Sequence, residues 1–419
     1  MEQRAIVVGV NLNNQPDFAE SMAELANLAA ACGVEVVGEM TQKVSHVNTS
    51  HYIGSGKVKE LEIVLAQLEA NVVIFNDELS PSQIRNLEKD LACKVIDRTI
   101  LILDIFAERA QTREAQLQVE VAQLQYMLPR LIGLRESLGR QSGGVGTKNK
   151  GVGETKLELD RRRIESKITA LHRELETLVA QRQVQRKQRQ KNRVPVVSLV
   201  GYTNAGKSSL MNAMMELYDP SGGKPVLARD MLFATLETSV RSIELPDNKS
   251  FLLTDTVGFV RNLPHHLIKA FRSTLEEVAE SDLLLHVVDS SNPEHEQLIA
   301  VTRHTVKELG ADHIPVLYVY NKADLAGDAA EGQEEDRVYV SAMQKTGLEE
   351  LMQRIRDRIF DNYMQCEMLI PFDQGKLVAY FNENAHVLNT EYEENGTKLA
   401  LECSTADYEK YRAFVVHGQ

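Results

Sequence analysis

A phosphate-binding pattern lies within residues 196–209, which read VVSLVGYTNAGKSS. The apolar first part predicts a buried strand, and it leads directly into Gly201-x-x-x-x-Gly206-Lys207-Ser208. The two glycines allow successive backbone amides to turn toward a phosphate group, and the lysine adds a positive charge at the β/γ oxygens. The serine hydroxyl suits Mg²⁺, and the helix that follows presents its positive end to the anion. The pattern predicts polyphosphate binding.

Two further motifs supply metal ligands and a phosphate contact. The segment Phe233–Glu237, FATLE, holds Thr235, which could place a second hydroxyl on Mg²⁺; the alternative is a surface threonine. Farther on, a predicted strand ends in Asp255-Thr256-Val257-Gly258. A carboxylate at a strand end can hold Mg²⁺ through water, and the glycine amide can meet a γ-phosphate. The spacing therefore favours hydrolysis of a nucleoside triphosphate.

The last two motifs identify the base. Asn321-Lys322-Ala323-Asp324 and Ser341-Ala342-Met343 each follow a predicted strand. A carboxylate at Asp324 can accept hydrogen bonds from the ring N–H and the exocyclic amine of guanine, whereas adenine offers neither donor there. Asn321 would join this loop to the phosphate-binding loop, and the backbone of 341–343 would meet the guanine carbonyl. Ligands at the carboxyl ends of strands are typical of open α/β sheets.

These motifs give the candidate site of a GTP hydrolase. We expect catalytic roles for Lys207, Thr235 and Gly258, and metal contacts from Ser208, Thr235 and Asp255. The candidate nucleotide-binding residues are Gly201, Tyr202, Thr203, Asn204, Ala205, Gly206, Lys207, Ser208, Ser209, Phe233, Ala234, Thr235, Leu236, Glu237, Asp255, Thr256, Val257, Gly258, Asn321, Lys322, Ala323, Asp324, Ser341, Ala342 and Met343.

Two residues of this site have a second interpretation. Phe259 follows the Asp255–Gly258 motif, where Ras-like proteins have a glutamine that orients the attacking water. Either hydrolysis is slow until a partner activates it, or the ring simply packs beneath a mobile segment. Asn204 could help to seat a K⁺ ion beside the phosphates, or it could bond to its own backbone.

The elements that must position the site predict an α/β multidomain protein with four parts. Residues 1–103 alternate apolar runs with amphipathic ones, which predicts a small α/β domain with a mostly parallel sheet. Two long helices in 104–193 form an antiparallel hairpin, with Pro129 closing the first helix. Residues 194–360 form the P-loop GTPase domain of Ras-like type. Residues 361–419 form a small α+β domain, with a hairpin at Asn395-Gly396 and a final helix Asp407–Val415.

The helical hairpin carries the positive charge of an acidic protein. The net charge is −13, yet residues 129–194 hold 17 Lys and Arg against 7 Asp and Glu. Between the helices, residues 138–156 form a glycine-rich stretch, which is either an adaptable RNA-contacting tip or a flexible linker. We favour contact with the phosphates of structured RNA, because few aromatic residues interleave with the charges. The candidate RNA-binding residues are Arg140, Lys148, Lys150, Lys156, Arg161, Arg162 and Arg163.

Composition narrows the classes of protein to which the chain could belong. At 419 residues, with 43% hydrophobic and 26% charged residues, the chain has the composition of a globular protein. Its four cysteines are scattered without a close pair in sequence, which argues against a disulfide framework or a structural zinc site. No apolar run approaches the ~18 residues of a membrane span. We expect a cytoplasmic protein without integral membrane association; peripheral association with a membrane stays open.

With these motifs in order, the chain resembles the HflX family of translational GTPases over essentially its whole length. The residues that carry the resemblance are GYTNAGKS, FATLE, DTVGF followed by RNLPHHL, NKAD and SAM. The resemblance implies a GTPase that binds the large ribosomal subunit and ribosomal RNA and splits or rescues stalled ribosomes, especially under stress. We expect no DNA partner and a monomer. The role of the C-terminal domain is not implied.

Two other functions stay open at this point. One is a membrane- or transport-associated GTPase switch, against which the sequence offers only the lack of a membrane or lipidation signal. The other is an RNA-remodelling NTPase with a second nucleotide site at Gly54-Ser55-Gly56-Lys57, before a predicted helix. A structural turn is the favoured interpretation of those four residues.

Overall fold

The computed structural model describes residues 3–13, 15, 17–140, 152–192, 194–218, 233, 238–261, 277–325 and 335–418. The chain divides into two compact units. The first comprises residues 1–186, 229–237 and 260–273, and the second comprises 187–228, 238–259 and 274–419. Short segments of the predicted GTPase domain therefore belong to the first unit.

The first unit is built on a parallel sheet of strand order β2-β1-β3-β4. Its strands are β1 (Arg4–Leu12), β2 (Glu35–Val44), β3 (Val72–Phe75) and β4 (Lys94–Asp97). Its first helices are α1 (Phe18–Ala31), α2 (Ser55–Gln67) and α3 (Pro81–Leu91). The predicted α/β domain with a parallel sheet is confirmed. Helix α3 begins at Pro81. The Ser80 side chain accepts from the Gln83 amide and the Gln83 side chain accepts from the Ser80 amide, which together form a capping box.

Three helices follow: α4 (Arg98–Arg109), α5 (Arg113–Arg140) and α6 (Val152–Asn192). Helices α5 and α6 pack along the predicted seam, where Leu117, Val121 and Leu171 are buried together. Ion pairs flank this seam, and Arg113 bonds Glu174 at 2.8 and 3.0 Å. The two helices therefore form a helical arm.

Three details of the predicted arm are wrong. The first arm helix does not begin near residue 104, because residues 104–109 belong to a separate helix, α4, and the chain leaves helical structure at residues 110–112. Pro129 lies inside α5 and does not close it, although a proline there removes one helical hydrogen bond. The glycine-rich stretch is shorter than 138–156, because helices continue to Arg140 and resume at Val152. Residues 141–151, with Lys148 and Lys150, lie outside the described residues.

The arm is fastened to the end of β4 by the buried carboxylate of Asp97. One oxygen of Asp97 caps α4 by accepting from the Ile100 amide at 3.0 Å. The other accepts from the Leu79 amide at 3.0 Å and from the Tyr126 hydroxyl on α5. Arg130, one turn farther along α5, lies 3.4 Å from the same oxygen. Burial of a carboxylate is tolerated here because both oxygens have donors.

The second unit contains a six-stranded sheet of order β10-β9-β8-β5-β7-β6, in which only β6 runs antiparallel to its neighbour. The strands are β5 (Val196–Val200), β6 (Ser239–Glu244), β7 (Ser250–Asp255), β8 (Leu283–Asp289), β9 (Val316–Asn321) and β10 (Arg337–Tyr339). The helices described here are α7 (Lys207–Tyr218), α8 (His295–Glu308) and α9 (Leu348–Ile359). The predicted P-loop GTPase fold is confirmed.

A second sheet closes the chain, antiparallel and of order β12-β13-β11-β14. Its elements are β11 (Tyr363–Ile370), α10 (Gly375–Asn384), β12 (His386–Glu393), β13 (Gly396–Ser404), α11 (Thr405–Lys410) and β14 (Val415–Gly418). The hairpin at Asn395-Gly396 is confirmed. The predicted final helix Asp407–Val415 is present but ends too late: α11 ends at Lys410, a 3-10 turn follows at Arg412–Phe414, and Val415 begins the strand that pairs with β11. The α+β class stands.

The fold brings together two cysteines that are distant in sequence. The Sγ atoms of Cys366 and Cys403 lie 3.9 Å apart in the core of the antiparallel sheet domain. Both are free thiols. Among the described residues, no helix is both long and apolar enough to cross a bilayer.

The Asp97 contacts yield a prediction about stability. Replacing Asp97 with Ala leaves Arg130, Tyr126 and the Leu79 amide without their buried acceptor, so the first unit should lose about 3 kcal/mol. Urea unfolding together with hydrogen exchange of β3 and β4 measures the loss. Glu62→Ala, at an exposed position of α2, is the control. An unchanged unfolding midpoint for the Asp97 variant would show that the carboxylate does not fasten the arm.

Candidate functional site

The phosphate-binding loop takes its shape from contacts that exclude side chains at its two glycines. Gly201 has φ +149°, and a Cβ there would lie 2.3 Å from the Val287 carbonyl oxygen. Gly206 has φ +91°, and a Cβ there would lie 2.1 Å from Nδ2 of Asn321. Helix α7 begins at the next residue, Lys207. The strand, loop and helix of the predicted phosphate motif are therefore all present and follow one another directly.

Lys207 is buried under this loop, 6% exposed. Its ammonium donates to the carbonyl oxygens of Gly201 at 3.1 Å and Tyr202 at 2.8 Å. Burial lowers the pKa of Lys207 to about 8, and the nearby Asp255 opposes that change. A polyphosphate would add negative charge beside the ammonium and favour its protonated form. The side chain is thus placed where bound phosphate would stabilise its charge.

Two oxygen ligands converge beside Lys207. The Ser208 hydroxyl donates to Oδ2 of Asp255 at 2.6 Å, and Asp255 ends β7 at a fully buried position. A hydroxyl and a carboxylate are hard oxygen donors of the kind that Mg²⁺ prefers, so these two residues fit the metal. Bound there, Mg²⁺ would neutralise charge that develops on the phosphates. Thr235, the third predicted ligand, lies outside the described residues.

The segment after Asp255 lies against the phosphate-binding loop. A Cβ at Gly258 would come within 2.7 Å of Thr203 and 2.9 Å of the Lys207 ammonium, so only glycine fits. The next residue, Phe259, pairs by its backbone with the loop: its amide donates to the Gly201 oxygen at 3.1 Å, and its oxygen accepts from the Thr203 amide at 2.8 Å. Its side chain is 2% exposed. Of the two interpretations of Phe259, the structure favours packing.

Asn321 joins the phosphate side of the site to the base side. Its Nδ2 donates to the Ala205 oxygen at 3.0 Å, and its Oδ1 accepts from the Ala342 amide at 3.0 Å. The residue is 1% exposed, at the end of β9. One carboxamide therefore fixes the distance between the loop that holds Gly206 and the loop that holds Ala342.

The base-side residues are arranged around this carboxamide. Lys322 has φ +60°, and its ammonium bonds Oδ2 of Asp289 at 2.6 Å. Asp324 follows in a short 3-10 helix, Ala323–Leu325, with its side chain exposed. The Ala323 amide donates to the Val340 oxygen at 3.1 Å, which brings the two predicted base motifs side by side. Asp324 is thus held next to the 341–343 loop, with its carboxylate facing solvent.

Sequence reasoning missed two residues that support the site. Asp289, at the end of β8, anchors the Lys322 ammonium; the signal was an acidic residue at a strand end. His286, within the same strand, is buried, and burial together with the charges of Lys207 and Arg303 lowers its pKa to about 3. A neutral imidazole therefore lies behind the phosphate-binding loop. The signal was a single polar residue in the apolar run LLLHVVD.

The remaining predicted site residues lie in the first unit or outside the described residues. Phe233 belongs to the first unit, where its buried ring packs edge to face on Phe106 at 4.7 Å between centroids. Arg261, which follows the Asp255–Gly258 motif, bonds Asp17 at 3.2 Å in the same unit. Ala234, Thr235, Leu236 and Glu237 lie outside the described residues. Their nucleotide-binding roles stay predictions.

The possible second phosphate site has its polar groups already paired. The Gly54 amide donates to Oε1 of Gln42 at 2.9 Å, helix α2 begins at Ser55, and the Lys57 ammonium bonds Glu60 at 2.8 Å. The structure favours a structural turn at these residues.

The chain is similar to known proteins along most of its length. Family models match residues 19–107 (GTP-binding GTPase N-terminal), 109–189 (GTP-binding GTPase Middle Region), 196–322 (50S ribosome-binding GTPase) and 327–411 (HflX C-terminal domain). GTPase HflX of Caldanaerobacter subterraneus is 44% identical, covering 99% of this chain and 94% of that protein. GTPase HflX of Escherichia coli is 38% identical, covering 94% and 92%.

A solved structure also resembles this chain. It is a GTP-binding protein from Sulfolobus solfataricus in complex with GDP, 26% identical, with a TM-score of 0.43 and coverage of 86% of this chain and 99% of that one.

The exposed carboxylate of Asp324 predicts base specificity. Asp324→Asn should weaken GTP binding by about 2 kcal/mol and improve binding of xanthosine triphosphate, whose ring presents a carbonyl where guanine has the amine. Fluorescence titration with both nucleotides measures the change. Asp312→Asn, at an exposed position before β9, is the matched control. Unchanged GTP affinity in the Asp324 variant would remove this assignment.

The burial of Phe259 predicts that a glutamine there does not restore Ras-like hydrolysis. Phe259→Gln should leave the single-turnover rate within about twofold, because the side chain is buried. Burying the amide should cost about 1–3 kcal/mol of stability. Phe259→Leu, which keeps an apolar side chain, should lose less. A tenfold faster rate in the glutamine variant would show that this side chain reaches the nucleotide.

Proposed function

Because the chain belongs to the HflX family of GTPases, we propose that it couples Mg²⁺-dependent GTP hydrolysis to the large ribosomal subunit and splits or rescues stalled ribosomes. The observation that carries the proposal is the match of residues 196–322 to a 50S ribosome-binding GTPase model, within a chain matched from residue 19 to 411. Ribosomes would place the protein in the cytoplasm. A K⁺ ion at Asn204, which has φ +63°, belongs to the same proposal.

We propose that the helical arm supplies the contact with ribosomal RNA. Arg161, Arg162 and Arg163 are exposed on α6, and the ion pair that each makes within the described part of the chain is with a carboxylate three or four residues away on the same helix. Such exposed helical pairs contribute about 0.3–0.5 kcal/mol, so exchanging a carboxylate for an RNA phosphate costs little. Phosphate contacts by arginine also gain from counterion release. The arm can therefore bind a polyanion although the whole chain is acidic.

The proposed partner is tested by sedimentation with separated ribosomal subunits, with GDP and with a non-hydrolysable GTP analogue. We expect binding to the large subunit that is stronger with the analogue. Splitting of intact ribosomes is then followed by light scattering after GTP is added. No binding to either subunit would contradict the proposed function.

The contribution of the arm is tested by charge removal. Replacing Arg161–Arg163 with Gln should leave basal hydrolysis intact and lower the slope of log affinity against log salt by about two, if all three contact phosphate. A matched control replaces Lys307, Lys376 and Arg412, which are exposed in the second unit, and should leave the slope unchanged. Normal splitting with an unchanged slope in the arm variant would show that the arm is a spacer and that binding resides elsewhere.

A further inference from the structure

The turn between β6 and β7 makes contacts far from the nucleotide site. Leu245 and Lys249 close it, with the Leu245 amide donating to the Lys249 oxygen at 2.8 Å, and the Asn248 amide donates to the Leu245 oxygen at 3.2 Å. Asn248 has φ +58°, which Asn tolerates better than most residues. The side chains of three consecutive residues, 247–249, then bond to three different elements. We call these residues the turn latch.

Asn248 caps a helix of the antiparallel sheet domain. Its Nδ2 donates to the carbonyl oxygens of Asn382 at 3.1 Å and Ala385 at 3.2 Å, at the end of α10. The last carbonyls of a helix have no partner within the helix, so an outside donor is needed. Here that donor comes from the GTPase sheet.

Lys249 is buried among groups that favour a cation. It is 6% exposed, with its ammonium 2.8 Å from Glu402 on β13 and 3.6 Å from Asp247. The same ammonium lies 4.7 Å from the ring centroid of Tyr363 and 5.4 Å from that of Phe360. These two aromatic residues belong to the segment that leads from α9 into β11. Lys249 therefore fastens the turn to the junction between the two sheets.

Asp247 completes the latch from the GTPase side. Its buried carboxylate accepts from Arg356 on α9 at 2.6 Å. Asp247, His386 and Glu402 also have donor atoms within 4.8 Å of one another, a set that could suit a metal ion. The ammonium of Lys249 and the guanidinium of Arg356 together already neutralise Asp247 and Glu402, however, and a metal would have to displace the ammonium. Lysine is therefore the favoured occupant, and a metal is the alternative to be tested.

The other end of the same hairpin lies at the nucleotide site. Strand β7 runs from Ser250, next to the latch, to Asp255, which accepts from the Ser208 hydroxyl. At ~3.4 Å per residue, these six residues span roughly 20 Å. Strand β7 is held between β5 and β6, so a shift at one end is carried along its backbone. The latch and the metal-side carboxylate therefore share one rigid element.

We propose that the antiparallel sheet domain controls nucleotide release through the turn latch. With the latch closed, the hairpin is held at both ends and Asp255 stays in position beside Ser208. Opening of the latch frees the hairpin to shift, which loosens the carboxylate and speeds loss of the nucleotide. If the open latch also weakens nucleotide affinity, the coupling is reciprocal, so binding of a nucleotide must stabilise the closed latch. This gives the C-terminal domain a role in the GTPase cycle that requires no ribosome.

The first test measures GDP dissociation from the full-length protein by stopped flow with a fluorescent GDP analogue. Asn248→Ala, at an exposed turn position, should raise the dissociation rate at least threefold. Glu244→Gln, exposed on the same hairpin but outside the latch, is the matched control and should leave the rate unchanged. Equal dissociation rates for the Asn248 variant and the parent protein would overturn the proposal.

The second test first compares two states of the unmodified protein, so a folding defect cannot confuse that comparison. Hydrogen exchange of residues 375–385 and 396–404 is measured without nucleotide and with GDP bound. Greater protection with GDP supports the coupling, and identical protection overturns it. Zinc is then added in both states. Stoichiometric zinc binding that is lost in His386→Ala would also overturn the proposal, because the metal would replace Lys249. Ribosomes are absent throughout, so failure here leaves the proposed ribosomal function untouched.

Discussion

The bidentate carboxamide of Asn321 is the constraint on which the nucleotide site depends. It holds the Ala205 oxygen and the Ala342 amide at once, at 3.0 Å each, and its Nδ2 leaves no room for a side chain at Gly206. The phosphate-binding loop and the base-side loops come from strands far apart in sequence. The sheet sets the spacing of the strands, and this side chain ties together the loops that follow them, as a guanine nucleotide needs both ends of its site held at a fixed distance. A buried amide whose oxygen and nitrogen are both bonded is also costly to disrupt, which favours a single arrangement.

Much of this arrangement could be predicted, because the decisive residues act locally. A serine that caps α3 and an Asn-Gly turn at 395–396 each express a rule that operates within a few residues. The helices of the arm followed from apolar spacing, and their seam at Leu117 and Leu171 lies where that spacing puts it. The order of motifs along the chain indicated the base and the reaction class, since the motifs at 201–208, 255–258, 321–324 and 341–343 each follow a strand of one sheet.

What could not be predicted depends on partners distant in sequence. Pro129 is a local signal for a helix end, yet α5 continues past it while Tyr126 and Arg130 bind Asp97. The α-helix predicted to reach Val415 stops at Lys410, and from Val415 onward the chain pairs as a strand because the edge of β11 is available. The turn at 247–249 looks like an ordinary surface turn, and only the fold shows that its lysine is buried against Glu402. In each case tertiary contacts outweigh a local preference.

The place at which the arm is fastened determines its mechanical character. Tyr126 and Arg130 lie near the middle of α5, which runs from Arg113 to Arg140, so the helix is supported along its first half instead of being pivoted at its base. About ten residues, or ~15 Å, extend beyond Arg130 along α5. Force applied to those last turns would be resisted by the Tyr126 and Arg130 contacts, which would pass it to Asp97 at the end of β4.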